Sequence, residues 1–217
     1  MTMTPQQASA RTREICMLAP IVPVLVVHDP AHAKPLAQAL IRGGLPALEV
    51  TLRTTAALEV ISEMAQVPGG FVGAGTVLTK SDVQAAQQAG AVFAVSPGAT
   101  DTLLDACEAA ELPILPGAAS ASEAMRLLER GYDMLKFFPA EASGGAALLK
   151  ALSAPLPQIT FCPTGGVSAE NAPHYLSLPN VLCAGGSWVA PTALVEAGDW
   201  DQIEALAREA RQIGVTV

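Results

Sequence analysis

Short apolar runs alternate with longer amphipathic stretches from one end of the chain to the other. The runs at 21–27, 47–52, 70–74, 91–96, 113–115, 134–138, 158–162 and 180–184 are rich in Val, Ile, Leu and Ala and too short for helices, so each predicts a strand. Between and after them, 31–42, 55–66, 80–89, 100–109, 120–130, 145–151 and 203–212 carry the spacing of helices with one apolar face. Gly, Pro and Ser stand at the strand exits, as in Ser96-Pro97-Gly98, Leu115-Pro116-Gly117 and Cys162-Pro163-Thr164-Gly165-Gly166, and these breakers define the loops. Eight strands interleaved with helices in 217 residues predict an α/β chain closed as a (β/α)8 TIM barrel, in which catalytic groups project from the C-terminal ends of strands. An open doubly wound sheet is the alternative, but its Gly-x-Gly-x-x-Gly fingerprint is incomplete in Gly73-Ala74-Gly75-Thr76-Val77-Leu78.

Composition narrows this picture. The chain is 51% hydrophobic but only 4% aromatic, so its interior is built from aliphatic side chains, which suits strands buried on both faces. The net charge of −8 argues against nucleic-acid or anionic-membrane partners and leaves any anionic ligand to local groups. Cys16, Cys107, Cys162 and Cys183 show no Cys-x-x-Cys spacing and are expected as reduced core thiols. Residues 1–20 have no long apolar stretch, so neither a secretory signal nor a membrane span is expected there, and the expected compartment is the cytoplasm.

Lys136 lies in the apolar run Met134-Leu135-Lys136-Phe137-Phe138-Pro139, which offers a cationic side chain no evident exposed face. Burial penalises the charged ammonium, and a neutral amine attacks carbonyls. The plainer alternative is a packed stem with its ammonium reaching water. Strand alternation places Met134, Lys136 and Phe138 on one face; it likewise groups Glu49, Thr51 and Arg53 opposite Leu48, Val50 and Leu52. With the apolar set on the helices, Glu49 and Lys136 point into one interior. A carboxylate beside a desolvated amine can form and hydrolyse a Schiff base, while Arg53 has the planar fork that binds a substrate carboxylate. A simple Glu49–Arg53 ion pair is the competing reading. Thr164-Gly165-Gly166-Val167-Ser168 and Gly185-Gly186-Ser187-Trp188 follow the last two predicted strands, where barrels often present backbone N–H groups to phosphate; ordinary tight turns are the alternative. His28, His32 and His174 have no metal-binding spacing, and no metal is predicted. The 54–64 stretch, with Glu59 and Glu63, reads as a solvated helix face without chemistry.

Taken in order, Leu48-Glu49-Val50-Thr51-Leu52-Arg53, Gly73-Ala74-Gly75-Thr76-Val77-Leu78, Ser96-Pro97-Gly98, Lys136-Phe137-Phe138-Pro139-Ala140-Glu141, Cys162-Pro163-Thr164-Gly165-Gly166 and Gly185-Gly186-Ser187-Trp188 resemble the 2-keto-3-deoxy-6-phosphogluconate (KDPG) and 4-hydroxy-2-oxoglutarate aldolase family over nearly the whole sequence. The resemblance implies a class I lyase of the Entner–Doudoroff pathway, a cytoplasmic homotrimer without a cofactor. It would cleave the phosphorylated keto acid to pyruvate and glyceraldehyde 3-phosphate, and its reach extends to 4-hydroxy-2-oxoglutarate, cleaved to pyruvate and glyoxylate. It further implies that Lys136 is the Schiff-base lysine and Glu49 the general acid/base. Arg53, Thr76, Pro97 and Phe138 would surround the pyruvate moiety with Thr164 close by, and Gly165, Gly166, Gly185 and Ser187 would form the phosphate-binding turns. The expected organisation is one barrel domain over 1–217, with 1–19 as a helical segment capping it. Three rivals remain at this level: the same chemistry on the galactonate epimer, a phosphosugar isomerase or epimerase that would not need Lys136, and a non-catalytic phosphosugar-binding protein.

Overall fold

The computed structural model describes residues 2–214, so the extreme ends of the expected domain, Met1 and 215–217, lie outside the described residues. The chain opens with α1 (Pro5–Cys16), β1 (Ile21–Leu25), a 3-10 turn at Pro30–His32, α2 (Ala33–Arg42), β2 (Ala47–Thr51), α3 (Ala57–Met64) and β3 (Phe71–Gly75). It continues through α4 (Lys80–Gln88), β4 (Phe93–Val95), α5 (Asp101–Ala109), β5 (Ile114–Leu115), β6 (Gly117–Ala118), α6 (Ala121–Arg130), β7 (Met134–Phe137) and α7 (Gly145–Ser153). The last elements are β8 (Thr160–Pro163), α8 (Ala172–Leu176), β9 (Ala184–Gly186), α9 (Thr192–Ala197) and α10 (Trp200–Arg211). Helix starts are set by side chains that satisfy the first free N–H groups: Thr4 with Gln7 and Thr79 with Asp82 form capping boxes, and Thr100, Ser120 and Asp199 cap α5, α6 and α10.

The strands form a curled parallel sheet in two ladders, β5-β4-β3-β2-β1-β9 and β6-β7-β8. Isolated parallel bridges Phe161↔Val181 and Thr164↔Gly185 run between β8 and the β9 segment. Alternation divides the buried side chains into two layers. Leu25, Leu48, Val50, Ala74 and Ala94 face the helices and pack with Leu36, Leu40, Val60, Ile61 and Leu103. The opposite face holds Val22, Ala47, Phe93, Val95, Leu115, Met134, Cys162 and Cys183, joined by Ile15 and Cys16 from α1. Each fully buried Leu in the outer layer stabilises the fold by about 1.5–3 kcal/mol relative to an exposed one. α1 crosses the N-terminal ends of β7 and β8: Ser9 Oγ accepts from Asp133 N (3.1 Å), and Arg13 donates to Thr160 Oγ1 (2.8 Å) and pairs with Asp133 (3.1 Å).

Two local expectations are corrected. The last strand is Ala184–Gly186, not 180–184: the ladder to β1 runs through Ile21↔Ala184, Val22↔Gly185 and Pro23↔Gly186, so Gly185 belongs to a strand rather than a turn. Close approach explains this, because a Cβ on Gly185 would sit 2.3 Å from Thr164 Oγ1. Leu115-Pro116-Gly117 is no strand exit, since pairing resumes at β6 beyond Pro116, whose carbonyl accepts from Lys136 N at 2.9 Å. α8 and α9, with 5 and 6 residues, are too short for a visible apolar period and were not predicted.

Candidate active site

Every residue singled out for the site lies at, or just beyond, the C-terminal half of a strand. Lys136 is carried by β7 between Gly117 of β6 and Cys162 of β8, and Glu49 by β2 between Val24 of β1 and Gly73 of β3. Both point into the inner layer. Lys136 Nζ donates to Glu49 Oε1 at 3.2 Å, with side-chain exposures of only 6% and 4%. The ammonium therefore does not reach water, and the carboxylate's partner is Lys136 rather than Arg53. The competing Glu49–Arg53 ion pair does not form: β2 ends at Thr51, which puts Arg53 in the following turn. There Arg53 is exposed and makes no ion pair or hydrogen bond among the described residues. Such a cation at a strand terminus is available to an anionic ligand.

The pair exists because β3 gives it room. A Cβ on Gly75 would lie 2.3 Å from Glu49 Oε1, and one on Gly73 would lie 2.4 Å from the Phe93 ring. Two glycines at strand spacing thus hollow the inner face for a carboxylate from β2 and a ring from β4. In the sequence, Gly73 and Gly75 read as an incomplete Gly-x-Gly-x-x-Gly fingerprint and as part of a family motif. The usable signal was their i, i+2 spacing within a buried strand, which marks close approach from neighbouring strands. Thr76, the next residue, has φ 60. That left-handed conformation is unusual for a β-branched side chain and costs about 1–3 kcal/mol, a strain that clusters at functional sites.

The Phe138 ring centroid is 5.1 Å from Lys136 Nζ, within cation–π range. The far edge of that ring meets the next loop: a Cβ on Gly165 would lie 3.2 Å from Phe138 Cε2. Glu49, Lys136, Phe138 and the Gly165 turn therefore form one continuous chain of contacts. Gly165 and Gly166 have φ +98 and +79, which only glycine adopts freely, and Asn171 Nδ2 holds the Gly166 carbonyl at 3.0 Å. Gly166 N–H and Ser187 N–H have no hydrogen-bond partner among the described residues. Thr164, buried at 5%, fits against Gly185 across the bridge from β8 to β9. Thr76, Pro97 and Ser187 stand just beyond the C-terminal ends of β3, β4 and β9.

Beneath the pair, Cys16, Cys162 and Cys183 are buried together in the inner layer, and all four cysteines are free. Hydrogen bonds from Cys16 and Cys183 pull the Cys162 thiol well below its usual range, and the Lys136 charge acts in the same direction. Their close association was not readable from sequence. Among the described residues, no group of three or more His, Cys, Asp or Glu side chains is placed to hold a metal ion, and no helix is long and apolar enough to cross a membrane.

Comparison with known proteins bears directly on this arrangement. The family model described as "Aldolase: KDPG and KHG aldolase" matches residues 12–206. The chain is 54% identical to the 2-dehydro-3-deoxy-phosphogluconate aldolase of Pseudoalteromonas atlantica, with 92% of this chain and 93% of that protein aligned. It is similar to the Zymomonas mobilis 2-keto-3-deoxy-6-phosphogluconate aldolase crystallised with 3-phosphoglycerate, at TM-score 0.90 and 47% identity over 96% of this chain and 100% of the other. It is also similar to the Legionella pneumophila KDPG aldolase with pyruvate captured at low pH as a covalent carbinolamine, at TM-score 0.89 and 44% identity over 92% and 97% of the two chains.

Proposed function

The chain belongs to the KDPG and KHG aldolase family, and from that premise we propose that Lys136 and Glu49 carry out a class I aldol cleavage of 2-dehydro-3-deoxy-6-phosphogluconate to pyruvate and D-glyceraldehyde 3-phosphate. The observation that carries the residue assignment is the buried 3.2 Å contact between Lys136 Nζ and Glu49 Oε1. Transfer of one proton across it converts an ion pair into a neutral amine and a carboxylic acid. Those are the two forms the first step requires: a nucleophile for the ketone, and an acid for the hydroxyl that leaves as water.

Arg53 holds the substrate carboxylate, and Lys136 adds to the neighbouring carbonyl carbon to give a carbinolamine. Glu49 protonates its hydroxyl, water departs, and an iminium remains. Glu49, directly or through one water, then takes the proton of the C4 hydroxyl. The C3–C4 bond breaks, its electron pair moves into the iminium to form an enamine, and the aldehyde is released. Protonation of the enamine at C3 and addition of one water return pyruvate and the free amine, so the water lost on imine formation is restored. Thr76, Pro97, Phe138 and Thr164 enclose the pyruvate half. The Gly165-Gly166 turn, with Gly185 and Ser187, takes the phosphate, whose remote binding energy orients the reacting bond. The free N–H groups of Gly166 and Ser187 support that placement.

The same reading extends to the architecture. Counting β5 and β6 as one strand interrupted at Pro116 gives eight, and the bridges from β8 to the β9 segment support closure into a (β/α)8 barrel. The domain then spans the chain, with α1 capping the end opposite the site. Assembly as a cytoplasmic homotrimer rests on the family resemblance alone.

Product analysis tests this function. With the phosphorylated keto acid, pyruvate and glyceraldehyde 3-phosphate should appear in equal amounts, and faster than pyruvate from the galactonate epimer. Isomerised sugar phosphate without pyruvate would overturn the reading. Pyruvate and glyoxylate from 4-hydroxy-2-oxoglutarate are expected as a second activity, since the pyruvate half is shared.

A further inference from the structure

Glu141 lies at the end of the Lys136-Phe137-Phe138-Pro139-Ala140-Glu141 segment, and the mechanism above gives it no role. Its surroundings connect the amine to the phosphate turn. Ala140 N donates to Thr164 O at 2.8 Å and Glu141 N to Gly165 O at 3.1 Å, so the segment leaving β7 is laced to the turn leaving β8. The side chain lies along that turn: a Cβ on Gly166 would sit 2.6 Å from Glu141 Cγ. Its Oε1 accepts a hydrogen bond from the hydroxyl of Tyr175, a residue of α8 that is 1% exposed. Asn171, just before α8, holds the Gly166 carbonyl, so the turn is gripped from both sides by groups tied to one short helix.

We propose that Glu141 and Tyr175 are a positioning pair that fixes the Gly165-Gly166 turn relative to Lys136, and so determines how strongly the enzyme prefers a phosphorylated keto acid to the same acid without phosphate. The inference rests on the phosphate assignment above. Physical necessity supports it. A carboxylate packed against a turn that takes an anion repels that anion less when a hydrogen-bond donor holds its oxygen turned away from the turn. The Tyr175 hydroxyl supplies that donor and turns Oε1 toward Gly145, where a Cβ would lie 3.5 Å from it and 3.4 Å from the phenol oxygen. Burial, then the hydrogen bond to Glu141 and last the Glu141 charge push the Tyr175 phenol upward, so it keeps its proton and remains a donor at neutral pH.

The test compares Tyr175→Phe, Glu141→Ala and Glu141→Gln with the parent protein on phosphorylated and unphosphorylated substrate. Tyr175→Phe and Glu141→Ala should raise KM for the phosphorylated acid about tenfold with kcat within about twofold. Rates on the unphosphorylated acid and borohydride trapping of pyruvate should not change. Glu141→Gln keeps an acceptor for Tyr175 and should restore KM. Equal losses on both substrates would reduce the pair to a structural contact and overturn the inference, as would no change on either. Ser187→Glu, which sets a like charge beside the free N–H groups assigned to the phosphate, separates this from the underlying assignment. If it weakens only the phosphorylated substrate while Tyr175→Phe does not, the positioning pair is wrong and the phosphate site stands. If neither variant discriminates, the phosphate assignment itself falls.

Discussion

Replacing Lys136 with Met should lower the rate of keto-acid cleavage by at least about 10⁴-fold, because Lys136 is the amine held beside Glu49 while Lys34, Lys80 and Lys150 are exposed. Methionine matches the length of the lysine stem and suits a position facing the inner layer with Met134, so the variant should retain its secondary structure. The cost falls on Glu49, which loses the cation 3.2 Å away and is left as a buried carboxylate without its partner. Breaking a buried pair in this way destabilises by about 3–5 kcal/mol. Steady-state rates together with a thermal melt separate the two effects: a folded protein with no turnover is expected. Retained turnover would remove Lys136 from the chemistry.

Glu49→Gln should produce the second-largest loss, a fall in kcat of about 10²- to 10⁴-fold with little change in KM. The amide oxygen can still accept from Lys136, so the amine stays in place. It cannot carry the proton needed to expel water from the carbinolamine or to accept the C4 hydroxyl proton. Trapping of pyruvate should therefore slow but still reach Lys136. A variant within about threefold of the parent rate would reassign the acid–base work to another group.

Strand parity made the central pair legible. Once 47–52 and 134–138 read as strands with one apolar face toward helices, Glu49 and Lys136 had to share the interior. The pairing partner was harder to read. Glu49-x-x-x-Arg53 is a same-face spacing only while the strand lasts, and β2 stops at Thr51, so Arg53 has no ion-pair partner among the described residues and Lys136 takes the carboxylate. Composition also misleads where backbone must approach closely. Gly185 and Gly186 read as breakers yet form the β9 ladder, because Thr164 and the Trp188 ring occupy the space their side chains would fill. The strand pairing that resumes beyond Pro116 is hidden for the same reason: a Cβ on Gly117 would meet the Pro97 carbonyl at 2.3 Å. The cluster of Cys16, Cys162 and Cys183 assembles from distant parts of the sequence, and no local pattern announces it.

On the proposed mechanism Lys136 becomes covalently attached to the keto acid during turnover. Incubation with pyruvate and sodium borohydride, followed by intact-mass spectrometry and peptide mapping, tests it directly. A single reduced pyruvyl adduct on Lys136, absent from the Lys136→Met protein, is the predicted result. An unmodified chain in a preparation that still cleaves substrate, or an adduct on Lys34, Lys80 or Lys150, would contradict it.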